Sequence, residues 1–131
     1  MPLPPVPAAF HPILQSATVG HLATIGVRGE PQVNPVWFLW ESDQLFLSVK
    51  ANTGKYRNLR RDPNLALSCV DPSNPHQYVE IRGKVTVFDL YLDLSFVNLL
   101  ARKYTGRDMD PMEQGLERYK LTIEVLSWTG Q

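Results

Sequence analysis

The sequence predicts a mainly β (α+β) fold, six antiparallel strands closed or half-closed into a small barrel, with short helices at the periphery. Three observations predict it. Strand-like runs follow one another with only turns between them, so early pairings are of the hairpin type rather than parallel crossovers. Six such runs fit within 131 residues, which favours a barrel over a two-sheet sandwich. The longest helical pattern comes late, before the last strand, where it covers a sheet rather than interrupting it.

The elements follow in order. Residues 1–7 are proline-rich and read as an extended arm. Ala8 to Ala17 reads as a short helix with Phe10, Ile13 and Leu14 on one side. Val19 to Val27 is the first strand, closed by an Arg28-Gly29-Glu30 turn in which glycine accepts φ > 0. Gln32 to Trp40 is the second strand. Val33, Pro35, Trp37 and Leu39 share one face, and Asn34, Val36, Phe38 and Trp40 the other. Both faces are largely apolar, so the strand is expected to be covered on both sides. Pro35 cannot donate a ladder bond and marks an edge or a bulge.

Glu41 to Gln44 is a polar hairpin turn, and Leu45 to Lys50 the third strand. Thr53 reads as the cap of a helix over Gly54 to Arg61, with Tyr56 and Leu59 on its buried face, and Asp62-Pro63 stops it. Asn64 to Asp71 is the fourth strand, followed by a turn with two prolines. Gln77 to Phe88 is the fifth, with Val79, Ile81, Val85 and Val87 facing in and a bulge expected at Gly83. Asp89 is expected to cap a helix over Leu90 to Tyr104, whose stripe is Leu92, Phe96, Leu99 and Leu100. One or two helical turns are expected over Met112 to Arg118. Tyr119 to Trp128 is the last strand, with Leu121, Ile123 and Val125 inward.

Composition narrows the function. The length fits one domain over residues 1–131, and a formal net charge of zero argues against a general electrostatic grip on nucleic acid. The lone Cys69 excludes an intrachain disulfide and a multi-cysteine metal cluster, and it reads as a core residue. No segment reads as an export signal or a membrane span, which sets a cytoplasmic location as the expectation. His11, His21 and His76 lack metal-ligand spacing, and no nucleophile elbow, carboxylate pair, dinucleotide fingerprint or P-loop is present. Any redox or transfer chemistry would therefore come from a bound cofactor.

The stretch from Leu45 to Pro63 carries the chemistry. Five of the chain's 13 basic residues, Lys50, Lys55, Arg57, Arg60 and Arg61, fall within it. Lys55 sits in the first helical turn, where free amides already make a positive end, so a cation there is unfavourable by roughly 0.3–1 kcal/mol. An anion at the helix start resolves that conflict; a solvated basic turn is the bland alternative. Arg57 and Arg61 point away from the Tyr56/Leu59 face, and Arg61 reads as solvated charge. Trp37, Phe38 and Trp40 cluster on the second strand, with Tyr78 and Trp128 on others. Core packing explains each of them; a flat ring with a phosphate tail explains them together with the basic turn.

GEPQVNPVWF, followed by LFLSVKANTGKYRNLRRDPNLALS and later QYVEIRG, resembles the pyridoxamine 5′-phosphate oxidase-like family, and within it the branch that uses the deazaflavin coenzyme F420. The resemblance covers about Val19 to Val87. It implies a split β-barrel that binds flavins as a homodimer, with the cofactor at the subunit interface. Lys55 matches the family's phosphate-binding lysine, and Thr53 the contact just before it. Ser48, Val49 and Lys50 match the strand end that runs along the cofactor. Pro35, Val36 and Trp37 match the strand whose backbone faces the ring. Gln77, with Tyr78 beside it, matches a polar position supplied from the second subunit, and Trp128 a C-terminal aromatic near the same site. Lys50, Lys55, Arg57 and Arg60 are placed to meet an acidic coenzyme tail.

The chain departs from the oxidases proper. No arginine stands beside Trp37, and the C-terminal R-x-x-W-E-F-W-type segment that recognises vitamin B6 is absent. The resemblance therefore implies an F420-dependent oxidoreductase that transfers a hydride to an electron-poor double bond of a hydrophobic small molecule. The alternatives are an FMN-dependent oxidase or reductase of the same fold and a non-catalytic F420-binding protein.

Overall fold

A computed structural model describes residues 6–91, 93–109 and 117–131. A 3₁₀ turn, Ala8–Phe10, runs into α1, His11–Gln15. The strands are β1 (Gly20–Ile25), β2 (Pro31–Val36), β3 (Phe38–Glu41), β4 (Gln44–Lys50), β5 (Asn64–Asp71), β6 (Asn74–Tyr91) and β7 (Arg118–Gly130). Two further helices are α2 (Gly54–Arg61) and α3 (Ser95–Thr105).

All pairings are antiparallel, in one sheet of order β2-β1-β5-β6-β7-β4-β3. The two edge strands are consecutive in the chain, separated only by Trp37. One chain segment therefore pairs with β1 before Trp37 and with β4 after it, which bends the sheet round on itself. The architecture is the split barrel that was expected. Seven strands are present rather than six, because the expected second strand breaks at Trp37, two residues after Pro35. Pro35 itself lies on the edge strand β2, opposite His21, where a missing donor does no harm.

The core fills the barrel. Phe38, Leu45, Leu47, Leu67, Val79, Ile81 and Leu121 are wholly buried, and Leu14 of α1 closes one end. The expectation that the second strand is covered on both faces is corrected. Val36, Phe38 and Trp40 are buried, but Val33 is 60 % exposed, because that face of β2 lies outside the barrel.

Two bulges shape β6. Its pairing with β7 shifts at Arg82/Gly83, as expected, and again between Val85 and Val87. A Cβ on Gly83 would lie 2.4 Å from the Glu124 carbonyl oxygen, so only glycine fits the first bulge. The second bulge inverts the alternation, leaving Val87 exposed and Phe88 packed on the core. Val87 was expected inside; a period-two count cannot survive an extra residue.

β6 also outruns the expected strand, because Asp89, Leu90 and Tyr91 pair with Lys120, Tyr119 and Arg118. Asp89 is thus a strand residue and caps no helix. The helix starts only at Ser95, whose N–H and hydroxyl both donate to Asp93. Phe96 and Leu100 are buried as expected, with Val97 and Ala101, whereas Leu99 is half-exposed. Leu92 and most of the turns expected over Met112 to Arg118 lie outside the described residues. Arg118 opens β7.

Candidate functional site

α2 begins as the sequence predicts. The Thr53 hydroxyl accepts from the Tyr56 N–H at 3.4 Å and donates to the Lys50 carbonyl at 2.7 Å. That pair ties the helix start to the end of β4. No helix carbonyl is available to the N–H groups of Gly54 and Lys55.

The position of α2 is fixed by a buried polar network. Asn58, almost fully buried, donates to the Thr24 hydroxyl at 3.0 Å and to Gln32 Oε1 at 3.1 Å. Gln32 donates in turn to Asn34 at 2.8 Å. Arg61 donates to Asn58 Oδ1 at 2.8 Å and to the Ile25 carbonyl at 3.4 Å. Arg61 is therefore an anchor of α2 to β1, not the solvated charge expected. Its second partner is 36 positions away in the chain, out of reach of any local pattern.

A cleft of about 430 Å³ lies beside this helix start. Pro35, Val36 and Trp37 form one side, Ser48 and Lys50 come from β4, and Lys55 from α2. These six are all sequence-predicted, and the structure brings them together. Val97 and Leu100 of α3, with Met109 and Val19, supply apolar wall, and Arg118 adds a third cation. Burial, with Lys50 beside it, lowers the pKa of Lys55 below that of an ordinary lysine.

Other predicted residues lie elsewhere. The Val49 side chain points into the core, 2 % exposed, because it alternates with Ser48 and Lys50. Arg57 is exposed. Arg60 donates to the Tyr56 hydroxyl at 3.0 Å and lies 4.2 Å over the Phe88 ring, so its guanidinium packs on aromatic faces and does not line the cleft. Gln77, Tyr78 and Trp128 are also absent from the cleft wall. Trp128 pairs with Ile81 and meets Phe10 at 5.5 Å, while Tyr78 exchanges backbone bonds with Gln131. Trp128 is ten residues along β7 from Arg118, roughly 30 Å of strand.

Sequence reasoning missed several residues. Tyr91 shares a hydrogen bond with the Ser48 hydroxyl, and burial raises its pKa. Tyr104 stacks on Trp37, rings nearly parallel with centroids 5.0 Å apart. Tyr104 and Lys103 are half-buried beside the Trp37 break. Burial pushes Tyr104 up to about 12 and Lys103 down to about 8. Neither stood out because α3 was expected to begin five residues earlier and its stripe was read from Leu92, Phe96, Leu99 and Leu100. Among the described residues no group of His, Cys, Asp and Glu could hold a metal. No described helix is long and apolar enough to cross a membrane.

Comparison with known proteins agrees with this fold. A solved structure of an F420 reductase is 31 % identical, superposes with a TM-score of 0.88, and is matched over 95 % of this chain and 98 % of that one. A conserved hypothetical protein from Mycobacterium tuberculosis is 23 % identical with a TM-score of 0.72, over 95 % and 83 % of the two chains. General Stress Protein 26 from Bacillus anthracis is 17 % identical with a TM-score of 0.66, over 92 % and 89 %; these two show the fold alone. No curated protein sequence matches the chain significantly. The family model for pyridoxamine 5′-phosphate oxidase matches residues 6–127, nearly the whole described barrel, and the chain belongs to that family.

Proposed function

We propose that the protein is a deazaflavin-dependent oxidoreductase, using reduced F420 to deliver a hydride to an electron-poor double bond of a hydrophobic small molecule. One observation carries this: a single cleft joins a helix start and paired lysines to an aromatic, apolar wall. The described lining brings three cations together, Lys50, Lys55 and Arg118, which fits a ligand with an anionic tail. Lys55 and the first α2 amides hold the phosphate. Pro35, Val36 and Trp37 flank the ring, and Val97 and Leu100 bound the space left for an apolar substrate. When bound, the deazaflavin supplies the hydride; the protein supplies register, exclusion of water and backbone amides for polarising ring carbonyls.

A homodimer belongs to the same reading. The outer face of the β2–β1–β5 edge carries an apolar patch, with Val33, Ala23 and Ala66 at adjacent register positions beside His21 and Ser68, and Val33 and Val70 exposed on it. A partner seated there would cover it, and would supply Gln77, Tyr78 and Trp128 to a neighbouring cleft. A cytoplasmic location accompanies this proposal.

FMN is the second reading, favoured by the family match itself. Equilibrium titration of the folded protein with F420 and with FMN separates the two. Tight F420 binding with hydride transfer to an enone or quinone is expected. Tight binding without turnover across such a panel identifies a carrier, and binding of neither cofactor sinks the proposal.

A further inference from the structure

The break at Trp37 leaves an edge to be covered. Phe38 opens β3, an edge strand, and its outward N–H and C=O have no strand neighbour on that side. Two consecutive side chains of α3 take them. The Phe38 N–H donates to the Tyr104 hydroxyl at 3.2 Å, and the Phe38 carbonyl accepts from Lys103 Nζ at 2.8 Å. The same two groups reach across to the segment before β1. Tyr104 donates to the Thr18 carbonyl at 2.9 Å, and Lys103 to the Leu14 carbonyl at 3.3 Å. Lys103 also sits 4.0 Å over the Phe38 ring. The Tyr104 ring meanwhile lies flat against Trp37, which lines the cleft.

We infer that Tyr104 and Lys103 are positioning residues: they clamp the strand break and hold the Trp37 indole as a fixed wall of the cleft. The value of such a wall to a planar coenzyme rests on the function proposed above; the clamp itself does not. Neither side chain need touch the ligand. Tyr104 acts through Trp37 and Lys103 through Phe38. A wall held from behind by a stacked ring and four backbone bonds needs no ordering when a ligand arrives, which is where pre-organisation yields affinity.

Nuclear magnetic resonance and binding measurements on the full chain test this. Tyr104→Phe keeps the ring and removes the hydroxyl, so exchange of the Phe38 amide should accelerate at least tenfold. Tyr104→Leu removes the ring, so the Trp37 indole N–H resonance (identified by its loss in Trp37→Phe) should move, and coenzyme affinity should fall three- to tenfold. Lys103→Arg should retain affinity where Lys103→Met loses it. An unchanged Phe38 exchange rate, or an unmoved Trp37 resonance, overturns the clamp. A moved resonance with affinity within twofold of wild type overturns its positioning role. Should the wild type bind neither F420 nor FMN, the proposed function fails, while both resonance measurements still decide the clamp. Tyr104→Phe is conservative enough to keep a folded variant available if Tyr104→Leu does not fold.

Discussion

Lys55 and Arg60 are five residues apart on one short helix, and their surroundings assign them opposite roles. Lys55 is half-buried in the cleft beside Lys50, whereas Arg60 lies over the rings of Phe88, Tyr119 and Tyr56. A charge-assisted hydrogen bond contributes about 1.5–3 kcal/mol. Lys55→Ala should therefore weaken coenzyme binding roughly 10- to 100-fold, with little change in the melting temperature. Arg60→Ala should leave affinity within twofold. Fluorescence titration of both variants checks the pair, and equal effects would place the anion somewhere other than the α2 start. Asn58 is a residue of another kind. Its amide joins Thr24, Gln32 and Arg61, and Asn58→Leu leaves the buried Thr24 hydroxyl without that partner, at roughly 1–3 kcal/mol for a buried group left unpaired. Its urea midpoint should fall with the slope unchanged; a midpoint equal to wild type would show that the network contributes nothing. Lys55 was legible in the sequence because a cation in a first helical turn contradicts the dipole. Asn58 and Arg61 were not, because their partners on β1 and β2 are distant in the chain.

Elements were legible where local chemistry decides them. α2 and β5 have the expected bounds, since a cap, a proline stop and a short apolar run bounded by turn residues are all local signals. Boundaries set by a distant partner were not legible. β6 continues to Tyr91 only because β7 begins opposite it at Arg118, and Leu90 and Tyr91 suit a strand and a helix equally. The Trp37 break was half legible. Pro35 announced an irregularity, but the change of partner from β1 to β4 is a property of the closed sheet. The β3–β4 hairpin offers a test at this scale. Its two-residue turn, Ser42-Asp43, has φ of 52° and 61°, the left-handed pair of a type I′ turn. Asp43 tolerates that region, but Ser42 does not favour it, which costs a non-glycine residue roughly 1 kcal/mol. Replacing the pair by Asn-Gly should stabilise the protein by about 0.5–1 kcal/mol without touching the cleft. A higher urea midpoint with unaltered coenzyme affinity is the expected result, and a lower midpoint would contradict the turn geometry.

At the scale of the whole molecule, the barrel closes round a small titratable cluster. Lys103 of α3 and Cys69 of β5 influence each other electrostatically, and Tyr104 lies beside them. Burial drives all three shifts, and each favours the neutral form. Lys103 is lowered from 10.5 to about 8 in the folded chain. Between those values the unfolded chain binds the extra proton, so this residue makes stability rise with pH. Cys69 is raised from 9.0 to about 11, and Tyr104 from 10.0 to about 12. For them the folded chain keeps the proton, and stability falls as the unfolded groups ionise, from about pH 9 and pH 10 upward. Their sum has a distinct shape. Stability increases from pH 7.5 to 9, where Lys103 acts alone, levels off as Cys69 opposes it, and declines above about pH 10 as Tyr104 joins in. Partial exposure of Lys103 screens the size of the rise but not its sign. Urea unfolding at pH 7.5, 9 and 10.5 measures it, with Lys103→Met as the control that should lose the first rise while keeping the later decline. A wild type and a Lys103→Met variant running parallel from pH 7.5 to 9 would mean that the ammonium is solvated, not enclosed. The Phe38 carbonyl would then lack the partner that holds it at the point where the barrel closes.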